Sequence, residues 1–498
     1  MIIYNENHSF AYEVENMANI FFPNTKNTVL SLKNAEPSEA DFILTYRRNL
    51  DKEEFVGTQV HIGDFDKTIS MPLENDISDR EHEAERLIAV CMYRLLSQYT
   101  KIVPPWGILT GVRPIKLMRR LKNSMGEEAA RKYFIDKLLV SEEKTELSII
   151  TERREDKILS LSKPTSFSLY VSIPFCPSRC SYCSFVSQSI EKAGKLIEPY
   201  VGLLCREIEY TARLADEYNL NLETVYIGGG TPTTLDKKQL GTVIDSIQSS
   251  FDMSYCREFT VEAGRPDTID FDKLYTMHTR GIDRISINPQ TLNDMVLKAI
   301  GRRHTAKQTI EAYNLAKKTG FKHINMDLIA GLPCDSVESF EDTLNQICEL
   351  SPASITVHTL AKKRSSDFAV DGGQVDTDSK TTDMISWCGK KLTDEGYHPY
   401  YLYRQSRMAG NLENVGWSKD GFDGLYNVYV MDETHTILGC GAGAVTKLKD
   451  PYSEKLSRIF NYKYPYEYIN GFDKMLERKE QVRTFYDELS QYLPPLCL

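Results

Sequence analysis

The 498-residue chain carries 60 Lys and Arg against 70 Asp and Glu, a formal net charge of −10, with 41% hydrophobic and 26% charged residues. That balance excludes a disordered or membrane-embedded chain and disfavours broad nucleic-acid binding, while the length implies two to four domains. The first 16 residues put acidic groups where a secretory leader puts basic ones, and no apolar run is long enough to span a bilayer, so a cytoplasmic protein is expected.

Residues 1–160 are read as an N-terminal α+β domain of unassigned role. Loosely alternating strand patterns (FILTYRR, FVGTQVHIG, KTISMPL) precede a helix over 80–100, with Leu87, Val90, Cys91, Tyr93 and Leu95 near one face. The turn-rich PPWGILTGVRP (104–114) leads into the basic KLMRRLKN and then EEAARKYFIDKLL. This loop and basic helix are read as a surface for a protein partner or an anionic substrate, or as simply solvated. The charged run TERREDK (151–157) is taken as a boundary.

From residue 161 to 400, apolar strand-like runs alternate with amphipathic helices. The runs are SLYVSI (168–173), TVYIGG (224–229), EFTVEA (258–263), RISINP (284–289), INMDLIA (324–330) and SITVHTL (354–360). Six β-then-α units imply a parallel sheet with right-handed crossovers, an α/β fold. A partial (β/α)6 barrel is the preferred reading, and a doubly wound sheet has the same periodicity. Both place active sites at the strand C-termini. A Gly/Asp-rich loop and a helix follow, and residues 401–498 read as a third, appended domain.

The string YVSIPFCPSRCSYCSF (170–185) holds Cys176, Cys180 and Cys183 in a C-x3-C-x2-C array. Eleven cysteines scattered at random would produce roughly 0.005 such arrays, so the spacing is not accidental. Three thiolates in a tight loop after a strand suit zinc or an iron–sulfur cluster. Structural zinc would want a fourth ligand, and none lies close in sequence. Cys205, Cys256, Cys334, Cys348 and Cys388 are read as buried packing residues.

Other strand ends add polar groups. IGGGTPT (227–233) is either a tight turn or a place where backbone without Cβ atoms approaches a ligand. Glu262, within an apolar strand pattern, needs a partner, either Arg265 or Arg284 or a ligand's amino or ribose group. Gln290 ends the fourth strand, and Asp327 lies in the fifth. Arg302 and its neighbour Arg303 offer forks for carboxylates. GCGAGA (439–444) follows a strand, but the βαβ unit a dinucleotide site requires is missing.

The cysteine loop resembles the signature of the radical S-adenosylmethionine (SAM) superfamily, and the longer string is similar to its coproporphyrinogen dehydrogenase (HemN-like) branch. The whole chain most resembles the HemZ-type members, which carry an extra N-terminal domain. The resemblance implies a [4Fe–4S] cluster on the three cysteines, with one iron left open to chelate SAM. It implies that Gly229, Gly230 and Thr231 sit against SAM, and that Tyr170, Glu262 and Ala361 contact the cluster-bound molecule. Tyr182, Gln290, Arg302 and Asp327 would contact a second SAM.

It further implies a HemN-like C-terminal domain, a tetrapyrrole substrate and an electron donor such as flavodoxin or ferredoxin, in haem and porphyrin biosynthesis. The activity implied is oxygen-independent oxidative decarboxylation of coproporphyrinogen III. One position departs: the bacterial dehydrogenase pattern has a cysteine two residues after the third ligand, where this chain has Phe185. That departure resembles the haem-chaperone (HemW-like) relatives. A haem-binding chaperone, or another radical modification of a tetrapyrrole, are the alternatives.

Overall fold

Strand residues in this chain alternate in polarity, and the computed structural model shows what each face meets. It describes residues 1–32, 37, 40–50, 53–74, 79–361, 379–405 and 408–492; the Gly/Asp-rich loop expected after residue 365 lies outside them. The N-terminal part builds a five-stranded sheet from β1 (Ile2–Glu6), β2 (Thr28–Leu32), β3 (Phe42–Leu50), β4 (Glu53–Ile62) and β5 (Phe65–Pro72) in the order β2-β1-β3-β4-β5. The expected helix is Arg80–Thr100, started by Asp79, whose side chain accepts from the His82 amide. Leu87, Val90, Cys91, Tyr93 and Leu95 are all buried.

Among the described residues, the second sheet has eleven strands. All six expected runs form strands: β6 (Ser166–Ile173), β9 (Asn221–Gly229), β10 (Glu258–Glu262), β11 (Arg284–Ser286), β12 (His323–Ala330) and β13 (Ser354–Thr359). Between the first two lie the short β7 (Phe175–Cys176) and β8 (Gln188–Ser189). The six pair in parallel in chain order, without the reversal of a doubly wound sheet, which selects the partial barrel.

The strands after residue 397 extend this same sheet. β14 (His398–Tyr403) and β15 (Asn414–Ser418) add antiparallel beyond β13. At the other end β16 (Thr436–Cys440) pairs in parallel with β6, followed by β17 (Val445–Lys449) and β18 (Leu456–Phe460).

Polarity is divided between the two faces. Leu169, Val171, Ile173, Val225, Ile227, Val261, Ile285, Met326 and Ile355 face outward, in one core with Leu204, Ile208, Leu240, Ile244, Leu344 and Ile347 of the covering helices. The alternate positions, among them Tyr170, Tyr226, Glu262, Ser286, Asn325, Asp327 and Thr356, line an internal cavity. Closed barrels usually fill that space with branched aliphatic side chains. Here the inward positions carry polar and aromatic side chains around open space.

The loop and basic helix at 104–120 are anchored to the rest of the chain. Trp106 is fully buried and donates Nε1 to Glu413 at 2.7 Å, and Lys144 Nζ holds the other carboxylate oxygen of Glu413 at 2.8 Å. Arg404 donates to the carbonyls of Leu109 at 2.7 Å and Asn411 at 2.9 Å, and its own amide to Val112 at 2.8 Å. Arg113 pairs with Glu433 at 2.7 Å, and Arg119 with Glu155 at 2.7 Å and with Asp432. Arg113 and Arg119 are thus paired within the chain, while Arg120 is exposed. The run 151–157, expected as a boundary, lies within the continuous helix Glu142–Leu159.

Among the described residues, no helix is long and apolar enough to cross a membrane.

Candidate active site

The cysteine loop is framed by β7 and β8, which pair in parallel. It rests on the turn at 300–302: the Ser181 amide donates to the Ile300 carbonyl and Ser178 Oγ to that of Gly301, both at 3.1 Å. None of the three cysteines is in a disulfide. Among the described residues, no group of three or more His, Cys, Asp or Glu is arranged to hold a metal ion by itself. Thr231 Oγ1 donates to Cys176 Sγ at 3.5 Å.

Cys176, Cys180 and Cys183 line one cavity of about 450 Å3 together with Tyr170, Tyr182, Gly229, Gly230, Thr231, Glu262, Gln290, Arg302, Asp327 and Ala361. These thirteen residues therefore reach the same space, whereas Arg303 does not. Their detailed surroundings differ from expectation in four places.

The first is the glycine run. Gly229 turns at φ +111°, and a Cβ on Gly230 would lie 2.6 Å from the Phe175 carbonyl oxygen, so the close approach is to the neighbouring backbone. The amides of Gly230 and Thr231 already donate to Ile173 and Phe175 at 2.8 and 2.7 Å.

The second is Glu262. Neither arginine pairs with it: Arg265 grips Asp267 at 2.9 and 3.0 Å, and Arg284 donates to Tyr400 Oη at 3.3 Å. Its partner is Tyr226 Oη at 2.5 Å. Burial raises the Glu262 carboxyl to about 7, against the pull of that hydrogen bond and of Arg284.

The third is Arg303, which lies on the surface paired with Glu191 at 2.6 Å and does not line the cavity. The fourth is Cys334, which is exposed rather than packed; only Cys388 of that group is fully buried, with Cys205, Cys256 and Cys348 half-buried.

Asp327 behaves oppositely to Glu262. Burial works against its charge, but His358, Asn325 and Thr356 outweigh this and hold its carboxyl below the ordinary range. Asn325 donates at 2.7 Å, and His358 Nε2 stands 3.9 Å away. Gln290 adopts φ +67°, rare for a side chain without a glycine's freedom, and is tied on both sides to β12. Its Oε1 is buried without a partner, as are Asn288 Oδ1 and Arg302 Nε. Three orphaned polar atoms beside three thiols fit a polar cofactor bound next to a cluster. Arg302 also donates to the Asn288 carbonyl, and Tyr182 packs against the cluster of Val296, Leu297, Ile300, Ile329, Leu332 and Leu360. Ala361 bridges to Met408.

Sequence reasoning missed much of the aromatic wall. Tyr170, Tyr226 and Tyr426 stack with centroids 4.5–6.4 Å apart, and Tyr401 and Tyr403 of β14 face the same cavity. Tyr226 and Asn288 could have been found by counting two residues back from Gly228 and Gln290. Tyr401, Tyr403 and Tyr426 come from distant segments and leave no local signal.

Residues 170–347 match the family model described as the radical SAM superfamily. The oxygen-independent coproporphyrinogen-III oxidase-like protein HemZ of Bacillus subtilis is 35% identical over 94% of each chain. The heme chaperone HemW of Haemophilus influenzae is 31% identical over 62% of this chain and 78% of its own. In fold, coproporphyrinogen III oxidase (HemN) from Escherichia coli superposes with a TM-score of 0.51 at 23% identity, over 64% of this chain and 72% of that one.

The barrel and its cysteine loop thus define a radical SAM protein. Within that superfamily the chain belongs to the HemZ-type, oxygen-independent coproporphyrinogen-III oxidase-like family. The superfamily uses a [4Fe–4S] cluster and SAM, which settles the choice between zinc and iron–sulfur.

Proposed function

We propose that this chain carries out the oxygen-independent oxidative decarboxylation of coproporphyrinogen III, turning propionate side chains into vinyl groups in cytoplasmic porphyrin synthesis. The observation that carries the reading is one lumen in which the cysteine loop faces Glu262 at the end of β10, Gln290 and Arg302 from the segment after β11, and Asp327 within β12. The near full-length similarity to a relative named for this chemistry supports it.

Cys176, Cys180 and Cys183 would hold the cluster and leave one iron open. Tyr170, Glu262 and Ala361 would hold SAM there, with the carbonyls of Gly229 and Gly230 and the Thr231 side chain beside it. Tyr182, Gln290, Arg302 and Asp327 would hold a second molecule. When bound, the cluster and SAM supply a 5′-deoxyadenosyl radical that takes one hydrogen atom from each reacting propionate; CO2 leaves and an external acceptor takes the last electron. The stacked tyrosines exclude water from that space. Arg284, fully buried on the cavity wall with Nε unpartnered, suits a propionate carboxylate. A flavodoxin or ferredoxin is the electron donor in this reading.

Anaerobic incubation of reconstituted protein with SAM, reductant and coproporphyrinogen III tests it. Loss of CO2 from two propionates, seen by product mass, is the expected result; SAM cleavage with unchanged porphyrinogen mass overturns the substrate.

A haem chaperone is the second reading, favoured by Phe185. It replaces the dehydrogenases' cysteine and stands 63% exposed on the cavity wall, an apolar ring where a planar macrocycle could rest. Stoichiometric haem binding without turnover would select it.

A further inference from the structure

Arg265 sits in the turn after β10, where Pro266–Thr268 form a single 3-10 turn and Thr268 donates both its amide and its hydroxyl to the Arg265 carbonyl. The side chain is buried and all three nitrogens are directed. Nε and Nη2 grip Asp267 at 2.9 and 3.0 Å. Nη1 reaches Ser178 Oγ at 3.1 Å, the Ser178 carbonyl at 3.5 Å and Cys180 Sγ at 3.9 Å. The fork therefore spans from a carboxylate to a thiol. His304, buried 3.7 Å from Asp267 with both ring nitrogens unpaired, stays neutral because burial depresses its basicity, so it adds no second cation to the pair.

We propose that Arg265 is a positioning residue for the iron–sulfur cluster and sets its reduction potential through Cys180. Reduction adds negative charge that spreads onto the thiolate sulfurs, and an N–H donor carrying positive charge stabilises that state more than the oxidised one. The site is buried, so screening by water is weak. Asp267 limits the effect by drawing charge to the far side of the guanidinium while fixing its orientation. The inference rests on the reading that Cys180 ligates the cluster, and the two fail differently.

The experiment uses the full chain, reconstituted anaerobically, with iron content and the one-electron midpoint potential followed by electron paramagnetic resonance without SAM. Arg265→Gln is expected to lower the reduced-to-oxidised ratio at a fixed poise about tenfold, which is about 59 mV more negative. Asp267→Asn, which leaves the cation uncompensated, is expected to shift the potential the other way. A merely structural anchor for Ser178 would reduce iron loading in both variants without moving the potential of the loaded fraction, and that result overturns the proposal. Should Arg265→Gln fail to load iron, the sign of the Asp267→Asn shift decides: zero or negative overturns it. Full iron loading in Cys180→Ala would instead overturn the ligand reading on which it rests.

Discussion

Two glutamates, fully buried Glu207 on the helix Ile197–Glu217 and half-buried Glu262 on β10, receive opposite treatment. Glu207, fully buried behind the glycine loop GCGAGA, accepts from the Gly441 amide at 2.7 Å, Asn461 at 2.8 Å and Tyr468 at 2.6 Å, and pairs with Lys479 at 3.0 Å. Glu262 in the lumen has Tyr226 alone among the hydrogen bonds found for it. Saturation marks a carboxylate that holds the fold together, whereas Glu262 keeps acceptor capacity to spare. The two glycine runs follow the same division. Gly441, at φ +93°, leaves no room for a Cβ, which would lie 2.5 Å from Tyr200 Oη, and the loop's amides at Gly441, Ala442 and Gly443 are all spent inside the protein. GCGAGA is therefore a packing device at the β16 end of the sheet, while the first run borders the cavity.

The largest expected effect lies at the cysteine loop: Cys180→Ala should abolish the four-iron complement and SAM cleavage together, read by iron analysis and product chromatography. Next, Glu207→Gln should lower the unfolding free energy by about 3–5 kcal/mol, because it strands the Lys479 charge in the interior; a denaturant midpoint checks it. Glu262→Gln should do the reverse. It removes a charge that burial penalises, so stability holds or rises, while SAM affinity falls about tenfold or more with the loss of a charged hydrogen bond. Equal destabilisation of the two variants would erase the distinction drawn here.

The smallest effect is a slope. The Glu262 carboxyl protonates at about 7 in the folded chain against an ordinary value of 4.5, so over that interval the native state holds the extra proton. Stability of the cofactor-free protein therefore falls as pH rises from about 4.5 through 7, and Glu262→Gln should flatten that decline in thermal melts.

Much of this was legible in the primary structure, for reasons that can be named. The cysteine spacing and the six strand runs are local patterns, and each polar strand-end residue announced itself against apolar neighbours. Tyr226 as the protein partner of Glu262 has no local signal, because Arg265 is near in sequence while the pleat places Tyr226 of the adjacent strand beside it. The basic helix looked like a docking surface because its counter-charges, Glu433 and Asp432, lie more than 300 residues away. The strand order past residue 397, with one hairpin added beyond β13 and β16 beside β6, has no local signature at all.

The knot of Trp106, Glu413, Lys144 and Arg404 carries a consequence for inheritance. Tyr403, Gln405 and Asn414 line the cavity, and their chain neighbours Arg404 and Glu413 are held from behind by residues 104–144. A shorter chain built on the same barrel without that segment would leave a cation and a carboxylate stranded. Neutral residues are therefore expected at the positions of Arg404 and Glu413 in such relatives, and charged ones wherever the Trp106 loop is kept. The N-terminal region and these two residues should be gained and lost as one genetic unit, and a family alignment can read that directly.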